Sequence, residues 1–325
     1  MNFVFSSTDL TKISEVFALL MTQFGFINKL VNFHLNWETA YKLEELLSKD
    51  IFTKLNEKEL HILKKAFDRA QKVINIFLIL CVLCLVLYGI FPVVDNKGSE
   101  KKNYLFPGKF PFNPDKYYPL IYGVEILALA ISAWSNAALD CLFTKHTVIA
   151  TTFFTILCEK IKGLLDNIED EVEVKIKNCA IYYEEVINYV SMIEKTFSYG
   201  IFVQFLCSAI VFCLTGFQLT LVVSHTQFAL MAIYFSCMMC QLVLYCWYGH
   251  QLIEESDSVT NACYAVKWEE MGVKEQKMLM IIMERAKRPI GIKAAGMFGL
   301  NLSTLMKILR SSYSYFAVLQ RIYKQ

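Results

Sequence analysis

Long apolar runs without any charge dominate the pattern of hydrophobic and polar positions along the chain. Residues 73–94 form one such run, and residues 196–223 and 226–249 form two more. A helix of about 20 residues crosses the roughly 30 Å hydrocarbon core of a bilayer. Helices of soluble proteins rarely stay apolar on every face for so long. The pattern therefore predicts an all-α, polytopic membrane protein.

Six membrane spans are expected in a single helical-bundle domain covering residues 1–325, because no Pro/Gly/Ser-rich or charged linker divides the chain. The third span carries Glu125, and the sixth carries Lys293, Lys307 and Arg310, which is too many charges for a helix that faces lipid. The spans are predicted at about residues 3–33, 73–94, 117–139, 196–223, 226–249 and 290–319.

The distribution of basic residues predicts the orientation in the membrane. Segments 34–72, 145–195 and 250–289 together hold 20 Lys and Arg residues, whereas the segments on the opposite side hold 7. The positive-inside rule places the basic segments in the cytosol, where their helical spacing of apolar residues predicts an anchor region. The C-terminus and Met1 are then extracellular. Because the N-terminal sequence has no signal-peptide pattern, we expect a further membrane span before Met1, which would give seven spans in total.

Composition and motifs exclude several classes of function. The formal net charge of +2 gives no reason to expect a nucleic-acid partner. The sequence contains no phosphate-binding loop, nucleophile elbow, zincin motif or EF-hand, so no enzyme activity and no cofactor are expected. The CxxC motifs Cys81–Cys84 and Cys237–Cys240 each lie inside a membrane run without a second ligand pair. We therefore interpret them as packing residues and expect no metal site.

An ordered set of residues, mostly near the C-terminus, is similar to a known family. The set consists of Asp140-Cys-Leu-Phe143, Gly249, Ser256, Ala262-Cys263-Tyr264, Trp268, Arg285, Arg288-Pro289, Ile292-Lys293-Ala294, Leu302-Ser303-Thr304, Leu309 and the Ser/Tyr-rich stretch 311–319. In this order, and over essentially the whole chain, it resembles the insect odorant receptors. The related gustatory receptors usually carry Thr-Tyr in the last helix. Ser314-Tyr315 in this chain favours the odorant branch.

The resemblance implies the variable subunit of an odorant-gated, non-selective cation channel, a heterotetramer formed with a shared co-receptor. Its expected location is the plasma membrane, in the dendrite of an olfactory sensory neuron. A gustatory receptor channel and a seven-helix G-protein-coupled-type receptor stay as alternatives, and the second requires a cytosolic C-terminus. A secondary transporter ranks last because the sequence shows no inverted repeat.

The resemblance also implies two sites. A small volatile odorant would bind in the outer half of the bundle, between mostly apolar walls. Matching by depth assigns this pocket to Leu85, Tyr88, Tyr122, Glu125, Met231, Tyr234 and Phe235. Glu125 would either bind an amine or hydroxyl group of the ligand or hydrogen-bond to a neighbouring helix.

The second implied site is a gate in the last helix. Val318 and Ile322 match apolar gate positions of the family, and the alternative is ordinary packing between helices. Arg321 falls where a glutamine lines the pore of the co-receptor. Its charge would either turn outward or limit cation conduction through this subunit's side of the pore.

Overall fold

A computed structural model describes residues 10–95, 117–166, 172–221 and 225–323 of the chain. Most of these residues are helical, and a short hairpin of two antiparallel strands precedes the last helix. The elements are α1 (Leu10–Leu35), α2 (Trp37–Leu47), α3 (Asp50–Thr53), α4 (Glu57–Asp95), α5 (Tyr118–Lys162), α6 (Val172–Leu221), α7 (His225–Tyr264), α8 (Val273–Ala286), β1 (Lys293–Ala294), β2 (Phe298–Gly299) and α9 (Leu302–Tyr323).

Five helical segments are long and apolar enough to cross a membrane, which confirms the all-α, polytopic membrane class. They are Val16–Leu35, Glu57–Ile90, Tyr118–Leu165, Val172–Thr220 and Gln227–Tyr264. Each overlaps one of the first five predicted spans. The helices are much longer than a bilayer requires: the 45 residues of α5 extend over about 68 Å at 1.5 Å per residue. The surplus length builds a second helical layer beside the membrane-crossing part.

Local sequence signals explain where α5 begins and ends. Pro119 lies in its first turn, where a helix has no use for the backbone N–H that proline lacks. At the other end, the backbone N–H of Gly163 donates to the carbonyl oxygens of Glu159 and Ile161. Between these two ends the chain has no proline, so one helix continues from the membrane run into the second layer.

The sixth predicted span, residues 290–319, begins too early in the sequence. The helix starts only at Leu302, after the β1–β2 hairpin. The turn between the strands contains Ala295 at φ 48° and Gly296 at φ 70°, and two successive left-handed residues cannot continue a right-handed helix. Lys293 therefore lies in the hairpin and not in a span. The register pairs Lys293 with Gly299 and Ala294 with Phe298.

Contacts to α6 and α7 hold the hairpin in place. The hydroxyl of Ser198 donates to the carbonyl oxygen of Lys293 at 2.7 Å and accepts from the backbone N–H of Ala295 at 2.7 Å. On α7, Gly249 lies directly against the chain that leaves the hairpin. A Cβ at this position would lie 2.4 Å from the carbonyl oxygen of Leu300, so only glycine fits. The close approach gives a physical reason for Gly249 in the C-terminal sequence pattern.

The main hydrophobic core fills the second layer and continues into the membrane-crossing parts of α6 and α7, where it reaches Met238 of the cavity described below. It joins α2 and α3 to the parts of α5, α6 and α7 that continue beyond the membrane runs. Phe52 of α3 stacks on Phe153 of α5, with ring centroids 4.4 Å apart. Tyr189, Leu252 and Leu279 bring α6, α7 and α8 into the same cluster. This layer gives the long helices a rigid common base.

The membrane-crossing parts of α4 and α5 leave broad apolar faces exposed. Ile79 is 67% exposed and Leu127 is 61% exposed, and Ile76 and Leu120 are similarly open. On a soluble protein, contiguous apolar surface of this kind marks a contact with a membrane or with another protein. Lipid tails cover such a surface without penalty because neither the tails nor the apolar side chains form hydrogen bonds.

Glycine allows α1 and α6 to pack closely. A Cβ on Gly200 of α6 would lie 3.1 Å from Cγ of Lys29, and a Cβ on Gly25 of α1 would lie 3.0 Å from Oε1 of Gln204. Small residues at such interfaces let two membrane helices approach until backbone meets side chain. The short separation carries Lys29 into the interior of the bundle, where it is 6% exposed.

Candidate ligand-binding site

A cavity of about 110 Å³ lies between α1, α4, α5 and α7. Its walls are mostly apolar, and each of the four helices contributes several side chains. The lining residues are Leu19, Thr22, Gln23, Phe26, Phe77, Cys81, Cys84, Leu85, Tyr88, Leu129, Ser132, Ala133, Asn136, Ala137, Tyr234, Cys237, Met238 and Gln241. An apolar cavity with a few polar groups is the usual form of a site for a small organic molecule.

Polar side chains join the helices around the cavity in pairs. The hydroxyls of Thr22 and Tyr234 lie 2.5 Å apart and connect α1 to α7. The amide of Gln23 donates to the hydroxyl of Ser132 at 3.4 Å and connects α1 to α5. The rings of Tyr88 and Tyr234 meet edge to face, with centroids 6.0 Å apart, and join α4 to α7. These contacts fix the positions of the walls relative to one another.

Three of the seven predicted pocket residues line this cavity. Leu85 and Tyr88 stand on the inward face of α4, three residues apart, and Tyr234 stands on α7. Leu85 and Tyr88 share a face because residues three positions apart are neighbours on a helix surface. Their contribution to ligand binding stays a prediction.

The other four predicted residues do not line the cavity. Tyr122 donates its hydroxyl hydrogen to the carbonyl oxygen of Gly89, nearer the end of α4, and Glu125 follows it on α5. On α7, Phe235 turns toward α6, where it meets Phe212 with ring centroids 5.3 Å apart. Met231 precedes Tyr234 by three residues and is also outside the lining. Phe235 misses the cavity by rotation, because one step along a helix turns the side chain by about 100°. Tyr122, Glu125 and Met231 share a helix face with lining residues, so they miss it by height, about one or two turns nearer the start of their helices.

Sequence reasoning missed the contributions of α1 and of the middle of α5. On α5 the cavity meets every third or fourth position within one membrane run, and two of these positions carry the polar side chains of Ser132 and Asn136. Polar residues at helical spacing inside an apolar run usually face protein and not lipid. That spacing is a sequence signal that identifies the inward face of α5. The five positions are Leu129, Ser132, Ala133, Asn136 and Ala137.

The fold brings the two CxxC motifs to neighbouring helices, although each motif lacks a second ligand pair within its own run. The sulfur atoms of Cys81 on α4 and Cys237 on α7 lie 3.5 Å apart, and Cys84 lines the same cavity. Across the described ranges, no group of three or more His, Cys, Asp or Glu side chains is placed to hold a metal ion. A sulfur–sulfur distance of 3.5 Å is a contact between thiols and not a disulfide bond.

A buried charged network lies next to the cavity. Nζ of Lys29 donates to Oδ1 of Asp140 at 2.6 Å and to the hydroxyl of Tyr245 at 3.0 Å. The Tyr245 hydroxyl donates to the same carboxylate oxygen, and Nε2 of Gln241 donates to Oδ2 of Asp140 at 2.5 Å. Asp140 is 1% exposed. The carboxylate therefore meets three donors, which offsets part of its desolvation.

Gln241 connects this network to the cavity. Its amide lines the cavity, donates to Asp140 and accepts from Nε2 of Gln204 at 3.2 Å. Through these bonds α1, α5, α6 and α7 meet at one point. Asp140 also begins the Asp140-Cys-Leu-Phe143 sequence that the family resemblance uses. The network gives that motif a structural reason, because removing the carboxylate would leave several buried donors without an acceptor.

The predicted gate residues lie on the outward-facing part of α9. Val318 is 56% exposed and Arg321 is exposed, while Ser312 and Leu305 turn toward the bundle. The backbone of Ile322 belongs to α9, but its side chain lies outside the described part of the structure. An apolar side chain such as Val318 on an open helix face has room to meet a neighbouring subunit.

Comparison with known proteins gives consistent results. The sequence profile described as "7tm Odorant receptor" matches residues 9–313. Odorant receptor 10 of Aedes albopictus is 22% identical over 280 residues, which cover 83% of this chain and 73% of the relative. Odorant receptor 94a of Drosophila melanogaster is 23% identical over 326 residues, which cover 98% of this chain and 83% of the relative.

A solved structure has a similar fold. The insect olfactory receptor OR5 from Machilis hrabei, determined in complex with eugenol, superimposes with a TM-score of 0.86. The match covers 98% of this chain and 84% of that chain, at 17% sequence identity. At this identity the likeness concerns the fold.

Proposed function

The chain belongs to the insect odorant receptor family, and on that premise we propose that it is the odorant-binding, variable subunit of a cation channel opened by odorants. In this proposal it assembles with a shared co-receptor into a heterotetramer in the plasma membrane. The family consists of receptors, so catalysis is not part of its function. The odorant occupies the cavity between α1, α4, α5 and α7.

The observation that carries the proposal is the cavity itself. It lies among helices that cross the membrane, and its walls combine apolar side chains with a few oriented polar groups. A volatile molecule is small and mostly apolar, so it gains from leaving water for such walls. The solved OR5 structure in complex with eugenol supports a small organic ligand in this fold.

The last helix supports the channel part of the proposal. A ring of apolar side chains closes a pore by excluding water, and Val318 stands on an open face of α9 that has room to meet the last helices of other subunits. Arg321 lies about one turn further along the helix and is exposed. Its positive charge would repel cations, so in this proposal it turns away from the ion path or lowers conduction at this subunit.

Electrophysiology tests the proposal directly. Cells that express the chain together with the co-receptor should give cation current when odorants from a broad panel are applied. Cells that express the chain alone should give little or none, and surface biotinylation confirms that both samples reach the membrane. A robust odorant-evoked current from the chain alone would contradict its role as a subunit that needs a partner.

The orientation separates the channel from a G-protein-coupled-type receptor. The proposal places the C-terminus outside the cell and the short connection between α3 and α4 in the cytosol. An epitope after Gln325 should therefore stain in intact cells, and an epitope between α3 and α4 should stain only after permeabilisation. The reverse pattern would favour the receptor of opposite topology. A gustatory channel has the same orientation, and the odorant receptor profile favours the odorant branch.

A further inference from the structure

We propose that the cavity selects ligands that carry a hydroxyl group, and that the side-chain carbonyl of Asn136 accepts the hydrogen bond. The ligand class is a small, otherwise apolar alcohol. This inference rests on the proposed function, since it names the ligand class of the same cavity. It makes Asn136 a specificity-determining residue that no sequence motif indicated.

The first observation is an unused acceptor. Oδ1 of Asn136 is buried, and it has no hydrogen-bond partner within the described chain. Asn136 lines the cavity. A buried acceptor without a partner loses its bonds to water and gains none in return. Because Oδ1 itself is closed to a water-sized probe, a rotation of the amide about χ2 brings it to the cavity surface, where a ligand hydroxyl would restore the missing bond.

The second observation is that neighbouring polar groups of the cavity already have partners. The hydroxyl of Ser132 donates to the carbonyl oxygen of Leu129 at 3.0 Å and accepts from Gln23. The hydroxyls of Thr22 and Tyr234 are bonded to each other. Gln241 is held by the buried network on its donor and acceptor sides. Among the described lining residues, Asn136 is the one with a buried side-chain oxygen that has no hydrogen-bond partner.

Position and size define the rest of the ligand. Asn136 lies seven residues from Leu129 along α5, so the cavity wall extends about 10 Å from Asn136 to Leu129 at 1.5 Å per residue. The hydroxyl would sit at the Asn136 end, and the alkyl chain would extend toward Leu129 and Leu85. A cavity of about 150 Å³ holds a benzene molecule, so 110 Å³ suits a ligand of about five non-hydrogen atoms. Larger odorants require side chains to rotate.

The orientation of the amide determines the chemical class. With Oδ1 toward the cavity, the site prefers a donor, which is an alcohol. An amide turned by 180° would offer its NH₂ group and would prefer an acceptor such as an aldehyde. Three probes that each have five non-hydrogen atoms separate these cases: butan-1-ol, butanal and pentane.

The experiment compares these probes in two variants by concentration–response measurements on the chain with its co-receptor. In Asn136→Leu, which keeps the size but removes the acceptor, the half-maximal concentration of butan-1-ol should rise about tenfold, as expected for one lost hydrogen bond. The values for butanal and pentane should stay the same or fall. Ser236→Ala is the matched control, because that hydroxyl is exposed and bonds to Ala232 outside the cavity. It should change none of the three.

Several results would overturn the inference. Equal shifts for all three probes, no shift for butan-1-ol, or the largest shift for butanal would show that Asn136 does not accept from a hydroxyl. If a broad panel evokes current but none of the three probes does, the ligand class is wrong while the proposed function stands.

If no odorant evokes current, the proposed function fails, and a binding assay on the purified chain then decides the inference separately. Butan-1-ol should raise the thermal unfolding temperature of the wild type more than that of Asn136→Leu. The same rise in both would overturn the inference.

Discussion

Removing the carboxylate of Asp140 is expected to destabilise the fold more than any other single change in the buried network. In Asp140→Leu the ammonium of Lys29 loses its counter-charge, and the donors on Tyr245 and Gln241 lose their acceptor. Breaking a buried ion pair by removing one partner costs about 3–5 kcal/mol, and each unsatisfied donor about 1 kcal/mol. Because these terms overlap, we expect a loss of about 5 kcal/mol.

Removing the positive charge of Lys29 lowers the free energy of unfolding by less. In Lys29→Met the carboxylate keeps the donors on Tyr245 and Gln241, so we expect a loss of about 3 kcal/mol. The double variant Lys29→Met/Asp140→Leu contains neither buried charge. It should recover at least half of the loss seen in Asp140→Leu, because an apolar pair of similar volume replaces the ion pair.

Thermal unfolding of the purified protein in detergent measures this order. At about 2 °C per kcal/mol for a chain of this size, Asp140→Leu should unfold about 10 °C below the wild type. Lys54→Met is the control: it removes an ion pair with Asp50 whose side chains are 76% and 80% exposed, and it should leave the unfolding temperature unchanged. A double variant no more stable than Asp140→Leu would refute the reasoning, because removing the unpaired ammonium of Lys29 would then relieve no buried charge.

Three further predictions concern the gate, the hairpin and the cavity. Val318→Glu should wet the apolar ring and raise the resting cation current, and an unchanged leak in channels at the surface would exclude Val318 from the gate. Gly249→Ala should lower surface expression because its Cβ meets Leu300, whereas Gly123→Ala, with open space around it, should not. Tyr88→Ala should change odorant tuning in a ligand panel, whereas Met231→Ala, outside the cavity, should not; the reverse result would relocate the pocket.

The length and charge of the apolar runs were sufficient to predict the class of the fold. A run such as residues 73–94 has one stable conformation in lipid, because only a helix satisfies its backbone hydrogen bonds within the segment. The sequence-based prediction failed at residues 290–301 because the hairpin there is held by contacts with a distant segment. Gly291, Gly296 and Gly299 disfavour a helix in this segment, but the hairpin itself depends on the contacts of Ser198 with Lys293 and Ala295, almost a hundred residues away.

The candidate site was only partly accessible to sequence reasoning. Matching by depth found Leu85, Tyr88 and Tyr234, because these residues happen to combine the right height with the inward face. It selected Glu125 as the notable ionisable residue of the spans. Lys29 and Asp140 are charged groups enclosed within the bundle, and their 111-residue separation hides the pairing from any local pattern.

The sequence by itself determined that the chain is a bundle of membrane helices of the odorant receptor type, because hydrophobicity and length act within each helix. The tertiary structure alone decided which side chains of different helices meet, since that depends on how neighbouring helices pack. Packing of α1 against α6 at Gly25 and Gly200 carries Lys29 to Asp140. The rotation of α5 turns Asn136 into the cavity. Both sites arise from contacts between distant segments, which no single run of residues contains.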